Sequence, residues 1–224
     1  GSTYSHWGLN EIYLILDSAD QAQSDLTVDW TPDYMTDDVE AILKDSSLKL
    51  WLDADHTNSI IKDGSNNVSK WMDLSGNGND ALESNSSRVP EYTAGQLNGK
   101  AVLTFNEDYL EFEDINDIRS VFFVLKKPSD SGPYRFYLGD DSSTVFHPGD
   151  GSLGYNERLG DASIYQNGLS VHRHNDDFTY DYEILSVITD SNYDASQIGG
   201  DRGVNGSGGY PVQMWKGDIA EVLI

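Results

Sequence analysis

Trp71-Met72-Asp73-Leu74-Ser75-Gly76-Asn77-Gly78-Asn79-Asp80-Ala81, read together with Gly217-Asp218-Ile219-Ala220-Glu221-Val222 near the end of the chain, decides the fold. Each joins a short apolar run to Asp, Asn and Gly, and such runs bounded by turn formers read as strands. Glycines at 76 and 78 let the backbone reverse, turning consecutive carbonyl oxygens inward, while Asp73 and Asn77 or Asn79 add side-chain oxygens. That is the donor set of a calcium cradle, and Asp218 is the distant carboxylate expected to close it. Hydrogen bonding of the same Asp and Asn side chains to the loop's own backbone is the competing reading.

Outward from these stretches, strand-like runs recur at 11–16, 48–52, 68–72, 101–105, 121–125, 135–138, 184–188 and 219–224. Regular short strands separated by turn signals predict a sandwich or barrel. Asp63-Gly64 and Asn167-Gly168 are candidate tight turns, because these pairs tolerate positive φ. A single helix is predicted over 38–44, with Asp37 as cap, Glu40 reaching back to it, and Val39, Ile42 and Leu43 on one face. The expected organisation is a leading segment, 1–47, and a sandwich, 48–224. Gly1-Ser2 reads as a cloning remnant, and an apolar run continuing to Ile224 predicts a piece of a longer chain.

Composition narrows the function. The 38 Asp and Glu against 14 Lys and Arg give a formal net charge of −24, which repels phosphate backbones and anionic lipid. Nucleic-acid binding and insertion into membranes are therefore not expected. Crowded loop carboxylates repel one another unless a cation lies between them, and a hard divalent ion prefers oxygen ligands, so Ca2+ is the expected cofactor; a solvated acidic surface is the plainer alternative. With no cysteine, disulfides, thiolate zinc sites and cysteine nucleophiles are excluded. The stretch from Asp53 is not an EF-hand, since Asn58 stands where that loop needs Gly and Gly64 where it needs Glu.

The region 139–182 is long, acidic and rich in aromatic residues that a sandwich core does not require, and loops tend to carry function. Asp140 and Asp141, with Asp201, are candidate metal ligands on this rim, joined by Asp150, Asp176 and Asp177 as ligand-binding acids. Tyr155, Tyr180 and Tyr182 offer faces for a sugar or peptide, while Asn156, Arg158 and Arg202 supply directional donors. His147, His172 and His174 read as surface histidines, because no third zinc ligand follows from their spacing. Trp51, Trp71 and Trp215 sit in apolar context and are expected in the core.

Four stretches together resemble the laminin-G-like, concanavalin-A-like domains of large bacterial surface adhesins. They are 50–54 with 68–81; Gly95-Gln96-Leu97-Asn98-Gly99-Lys100-Ala101-Val102-Leu103-Thr104-Phe105; Tyr165-Gln166-Asn167-Gly168; and Ile198-Gly199-Gly200-Asp201-Arg202 with Trp215-Lys216-Gly217-Asp218-Ile219-Ala220-Glu221-Val222. The resemblance covers 48–224. It implies an antiparallel jelly-roll β-sandwich that binds carbohydrate or protein, often through calcium.

The expected function is thus a non-enzymatic, calcium-dependent module of a secreted adhesin. It would act as a monomeric unit of a longer chain and capture a peptide or protein end, or a glycan, on a partner cell surface. A carbohydrate-binding module of a secreted polysaccharide-degrading enzyme is one alternative. A glycoside hydrolase is another, and it needs two carboxylates across a cleft. Glu111-Phe112-Glu113-Asp114 has the alternation for two acids without the rest of a sandwich glucanase's Glu-x-Asp-x-x-Glu pattern, and reads as an acidic strand edge.

Overall fold

The computed structural model describes residues 45–128, 135–140, 162–171, 178–201 and 214–224. The chain divides after Leu48 into two compact units, of which the second is Lys49–Ile224. The strand expected over 11–16 and the helix expected over 38–44 lie outside the described residues.

Runs of Leu, Ile, Val and Phe alternating with polar residues make strands, since successive side chains on an extended chain point to opposite faces. They form β1 (Trp51–Asp53), β2 (Ile60–Lys62), β3 (Val68–Trp71), β4 (Ala81–Leu82), β5 (Glu91–Leu97) and β6 (Lys100–Asn106). There follow β7 (Leu110–Lys126), β8 (Leu138–Gly139), β9 (Ser163–Gln166), β10 (Leu169–Val171), β11 (Glu183–Ile198) and β12 (Lys216–Leu223). One 3-10 turn, Thr57–Ser59, is the helical element among the described residues.

Every pairing between these strands is antiparallel. One run of the ladder is β10-β9-β11-β7-β12-β6-β5, with β1 also on β12. A second run, β2-β3-β4, joins β7 at Leu82 opposite Glu111, and β8 adds to β11 beyond it. The long strands β7 and β11 stay paired from Glu183–Leu125 to Ile198–Leu110 and so belong to both runs. Leu52, Phe123, Leu125 and Val222 from the first run share one core with Val68, Trp71 and Ala81 from the second. The architecture is an all-β antiparallel sandwich.

The buried positions of β7 explain how one strand serves both runs. Leu110, Phe112, Val121, Phe123 and Leu125 are buried at steps of two, but Phe112, Ile115, Ile118 and Val121 follow at steps of three. The register against β11 shifts at the same places. These are bulges, whose extra residues bend and twist the strand while returning its apolar side chains to the core. Asp117 holds a left-handed φ of 64° there and accepts a hydrogen bond from Asn192 Nδ2 at 2.6 Å.

Two hairpins turn on Asn-Gly pairs with positive φ at both residues: Asn167 (52°) and Gly168 (78°) join β9 to β10, and Asn98 (51°) and Gly99 (87°) join β5 to β6. The first fulfils the sequence expectation. The Asp63-Gly64 turn is different, because the left-handed residue is Asn66 (φ 69°), and the Asp63 carboxylate caps the Ser65 and Asn67 amides instead. Trp71 and Trp215 are fully buried, as expected. Trp51 is not a core residue: it is only partly buried, and its indole Nε1 donates to Glu221 Oε1 at 2.8 Å.

Candidate functional site

Glycine is required where β8 meets the end of β11. Gly139 pairs with Gln197, and a Cβ on it would lie 2.1 Å from the Gly200 carbonyl oxygen and 2.9 Å from Asp201 Cα. The two backbones touch, so Asp140 and Asp201, remote in sequence, leave from adjoining chain. Both are buried, at 5% and 6% exposure.

An aromatic cluster supports this rim. The Trp215 amide donates to the Gly199 carbonyl at 2.7 Å, and the Gly199 amide donates to the Tyr137 carbonyl at 3.1 Å. The Trp215 ring meets Tyr137 edge-on at 6.2 Å and Phe178 at 6.0 Å. Arg135, largely buried, donates to the Met214 carbonyl at 3.0 Å and pairs with Glu107 at 3.2 Å. Tyr180 is 43% exposed, and Lys127 Nζ lies 5.9 Å from its ring and 5.7 Å from that of Phe178, which places Tyr180 at the same end. Asp140, Asp201 and Tyr180 thus each lie within three residues of Tyr137, Gly199 or Phe178, which make this cluster. Asp141, Asp150, Tyr155, Asn156, Arg158, Asp176, Asp177 and Arg202 lie outside the described residues, as do His147, His172 and His174.

The Asp73 loop takes the competing form. Asp73 Oδ1 accepts the Trp51 and Ser75 amides at 3.0 and 2.9 Å, and Oδ2 accepts Ser75 Oγ at 2.7 Å and the Asn79 amide at 3.1 Å. Asn77 and Asn79 turn their Nδ2 groups onto the Lys49 carbonyl at 3.2 and 2.8 Å. The loop is held by its own hydrogen bonds, with donors facing the carboxylate that was expected to face a cation. Asp218 does not join it. Trp51, bonded to Asp73, pairs with Leu223, and Asp218 lies five residues back along β12, about 16 Å at strand rise. Asp218 instead accepts Thr104 Oγ1 at 2.8 Å and the Tyr182 hydroxyl at 2.6 Å. Burial of Tyr182, with that bond and the Asp218 charge, raises its phenol well above the usual range. The Tyr182 hydroxyl is thereby committed to the sheet, while the sequence expectation concerned its ring face.

A second group of acids was not legible in the sequence. Asp53 on β1 stands opposite Glu221 on β12. Burial above all, and then the Asp53 charge, pushes the Glu221 carboxyl up to about 9, despite the Trp51 donor. Burial likewise raises Asp53. Asp55, beside them, is drawn the other way: burial opposes it, but the Ala101 amide at 3.1 Å and Lys100 Nζ at 3.1 Å hold its carboxyl below the usual range. Glu221 therefore carries a proton at neutral pH next to ionisable neighbours, a pairing fixed by contact between the two ends of the sandwich sequence.

Among the described residues, no three His, Asp or Glu side chains converge closely enough to form a metal cage. Asp140 and Asp201 are the buried carboxylates of this rim, and carboxylate oxygen is the ligand type that calcium takes. No family model, curated protein or solved structure matches this chain.

Proposed function

We propose that this chain is a non-enzymatic, calcium-dependent binding module of a secreted bacterial adhesin, built on a laminin-G-like, concanavalin-A-like jelly-roll sandwich. The observation that carries the reading is the close packing of Gly139 on Gly200 and Asp201, which brings the chain bearing two buried acids, Asp140 and Asp201, together beside the aromatic residues around Trp215. Both carboxylates are drawn out of water on adjoining chain, and a divalent cation bound there would offset the cost of burying their charge. Calcium bound there supplies a hard positive centre for a sugar diol or the terminal carboxylate of a peptide on a partner cell. Tyr180 offers the adjoining aromatic face.

Calorimetry with CaCl2, followed by arrays of glycans and of free-carboxylate peptides with and without calcium, tests this reading. Saturable calcium binding, lost in Asp140→Asn and in Asp201→Asn together with ligand capture, is the expected result. Capture that persists in EDTA, or calcium binding unchanged in both variants, overturns it.

One observation favours a second reading, hydrolysis of a glycan. The register shift between Ile219 and Glu221 puts Asp218 and Glu221 on the same face of β12, and Glu221 is a proton-carrying acid. Against it, Glu221 is 7% exposed and Asp218 is bonded within the sheet. Release of reducing sugar from a polysaccharide panel, abolished by Glu221→Gln, would establish the enzyme reading.

A further inference from the structure

A cleft of about 620 Å3 opens beside β4, on the strand β7 that carries the acidic run Glu111 to Asp114. Its origin is in the register. Between the pairs Glu111–Gln197 and Ile115–Ala195, three residues of β7 (Phe112, Glu113 and Asp114) stand opposite one of β11, Ser196. Such a bulge re-aims side chains and breaks the ladder locally. The result is a wall of five carboxylates, from Asp80, Glu83, Glu111, Glu113 and Asp114; Lys70 pairs with Asp80 at 2.6 Å, so the other four carry the cleft's negative charge.

A second, independent feature points to a ligand. Ser196 lines the same cleft and is only 4% exposed, yet its Oγ is buried with no hydrogen-bond partner. A hydroxyl taken out of water with nothing to bond is costly, and a polar group brought against it from the cleft offsets that cost. The apolar part of the lining is Leu82, 48% exposed, and Phe112.

The form of the cation follows from how the charges are spread. No three of the described acids converge as a metal needs. Glu111, Glu113 and Asp114 are strung along the bulged stretch of β7. Spaced carboxylates beside an apolar strip, with a hydroxyl acceptor at depth, match ammonium groups spaced along methylenes. We propose that this cleft binds a chain-like organic polycation, several ammonium groups on an aliphatic chain, as an aliphatic polyamine or a run of lysine side chains presents them. The site is separate from the Asp140–Asp201 rim and does not depend on calcium.

Calorimetry on the full chain in 150 mM NaCl, with spermidine in one arm and tetralysine in the other, provides the test. One saturable site is expected, and the tighter of the two probes identifies whether the source is a small amine or a peptide. Glu113→Gln with Asp114→Asn, both exposed and outside the core, should weaken binding about tenfold or more, and Ser196→Ala by about tenfold through loss of one charge-assisted bond. The double variant Asp181→Asn, Asp190→Asn removes the same charge away from the cleft and should bind like the unaltered chain. Equal weakening by the cleft and control pairs would reduce the effect to net charge and overturn the proposal. So would displacement of spermidine by calcium at equal charge concentration, or the absence of saturable binding in both arms.

Discussion

Glu221 shows what one buried carboxyl does to the pH response. Its folded pKa, about 9, stands far above the ordinary glutamate value, so the folded form holds a proton that the unfolded chain has released. Its contribution is complete below about pH 4.5 and is lost as pH rises towards 9. Asp55 and Asp63 act in the opposite sense: their lowered pKa values give stability that is present above the ordinary aspartate range and lost in acid. Urea unfolding should therefore show stability falling from pH 5 to pH 9. Glu221→Gln, which keeps an acceptor for Trp51 Nε1, should flatten that slope; an unchanged slope would refute the assignment of the proton. At Gly139 the limit is steric. Gly139→Ala puts a methyl 2.1 Å from the Gly200 oxygen, so the rim must open, at a cost of about 3 kcal/mol or more by denaturant titration and with loss of whatever Asp140 and Asp201 hold. Glycine is recognisable in sequence, but this need for it is not, because the clashing atom belongs to a segment far along the chain.

Elements were legible to the extent that their residues carried the signal locally. The Asn167-Gly168 pair specifies its hairpin, since Asn and Gly are the residues that tolerate left-handed φ. Asn167 Oδ1 also accepts the Ile184 amide at 2.9 Å, which ties the turn to β11. Asn167→Ala should cost about 1–2 kcal/mol in chemical denaturation, from backbone strain and one lost hydrogen bond, while Asn167→Gly should cost less. Asn98-Gly99 holds the same pair and turns β5 into β6, so that hairpin was readable by the same rule. The strand expected over 121–125 is only the end of β7, and 184–188 only the start of β11. Bulges hid the rest: a strand that buries every third residue between Phe112 and Val121 breaks the alternation by which strands are recognised. Short strands such as β4, with two residues, have no pattern of their own and form because β3 and β7 flank them.

At the scale of the whole molecule, the charge of −24 sets the response to salt. Self-repulsion of that size destabilises the compact state and is screened by electrolyte, so the melting temperature should rise as NaCl increases from about 0.02 to about 0.5 M. If calcium is held at the rim, CaCl2 at matched ionic strength should raise it by several degrees more, since a ligand of the folded state alone adds its binding free energy to stability. Equal curves for the two salts would leave only screening and count against the rim. The sequence alone determined the all-β class, the hairpins at Asn-Gly, the buried Trp71 and Trp215, and the acidic surface, because alternation, turn chemistry and net charge are properties of neighbouring residues or of sums over the chain. Only the tertiary structure decided that Asp73 is capped by amides and separated from Asp218, that Gly139 packs on Gly200 and Asp201, that Asp53 faces Glu221, and that a bulge opposite Ser196 opens an acidic cleft. Each of these is a distance between residues far apart in the chain, fixed by register and packing.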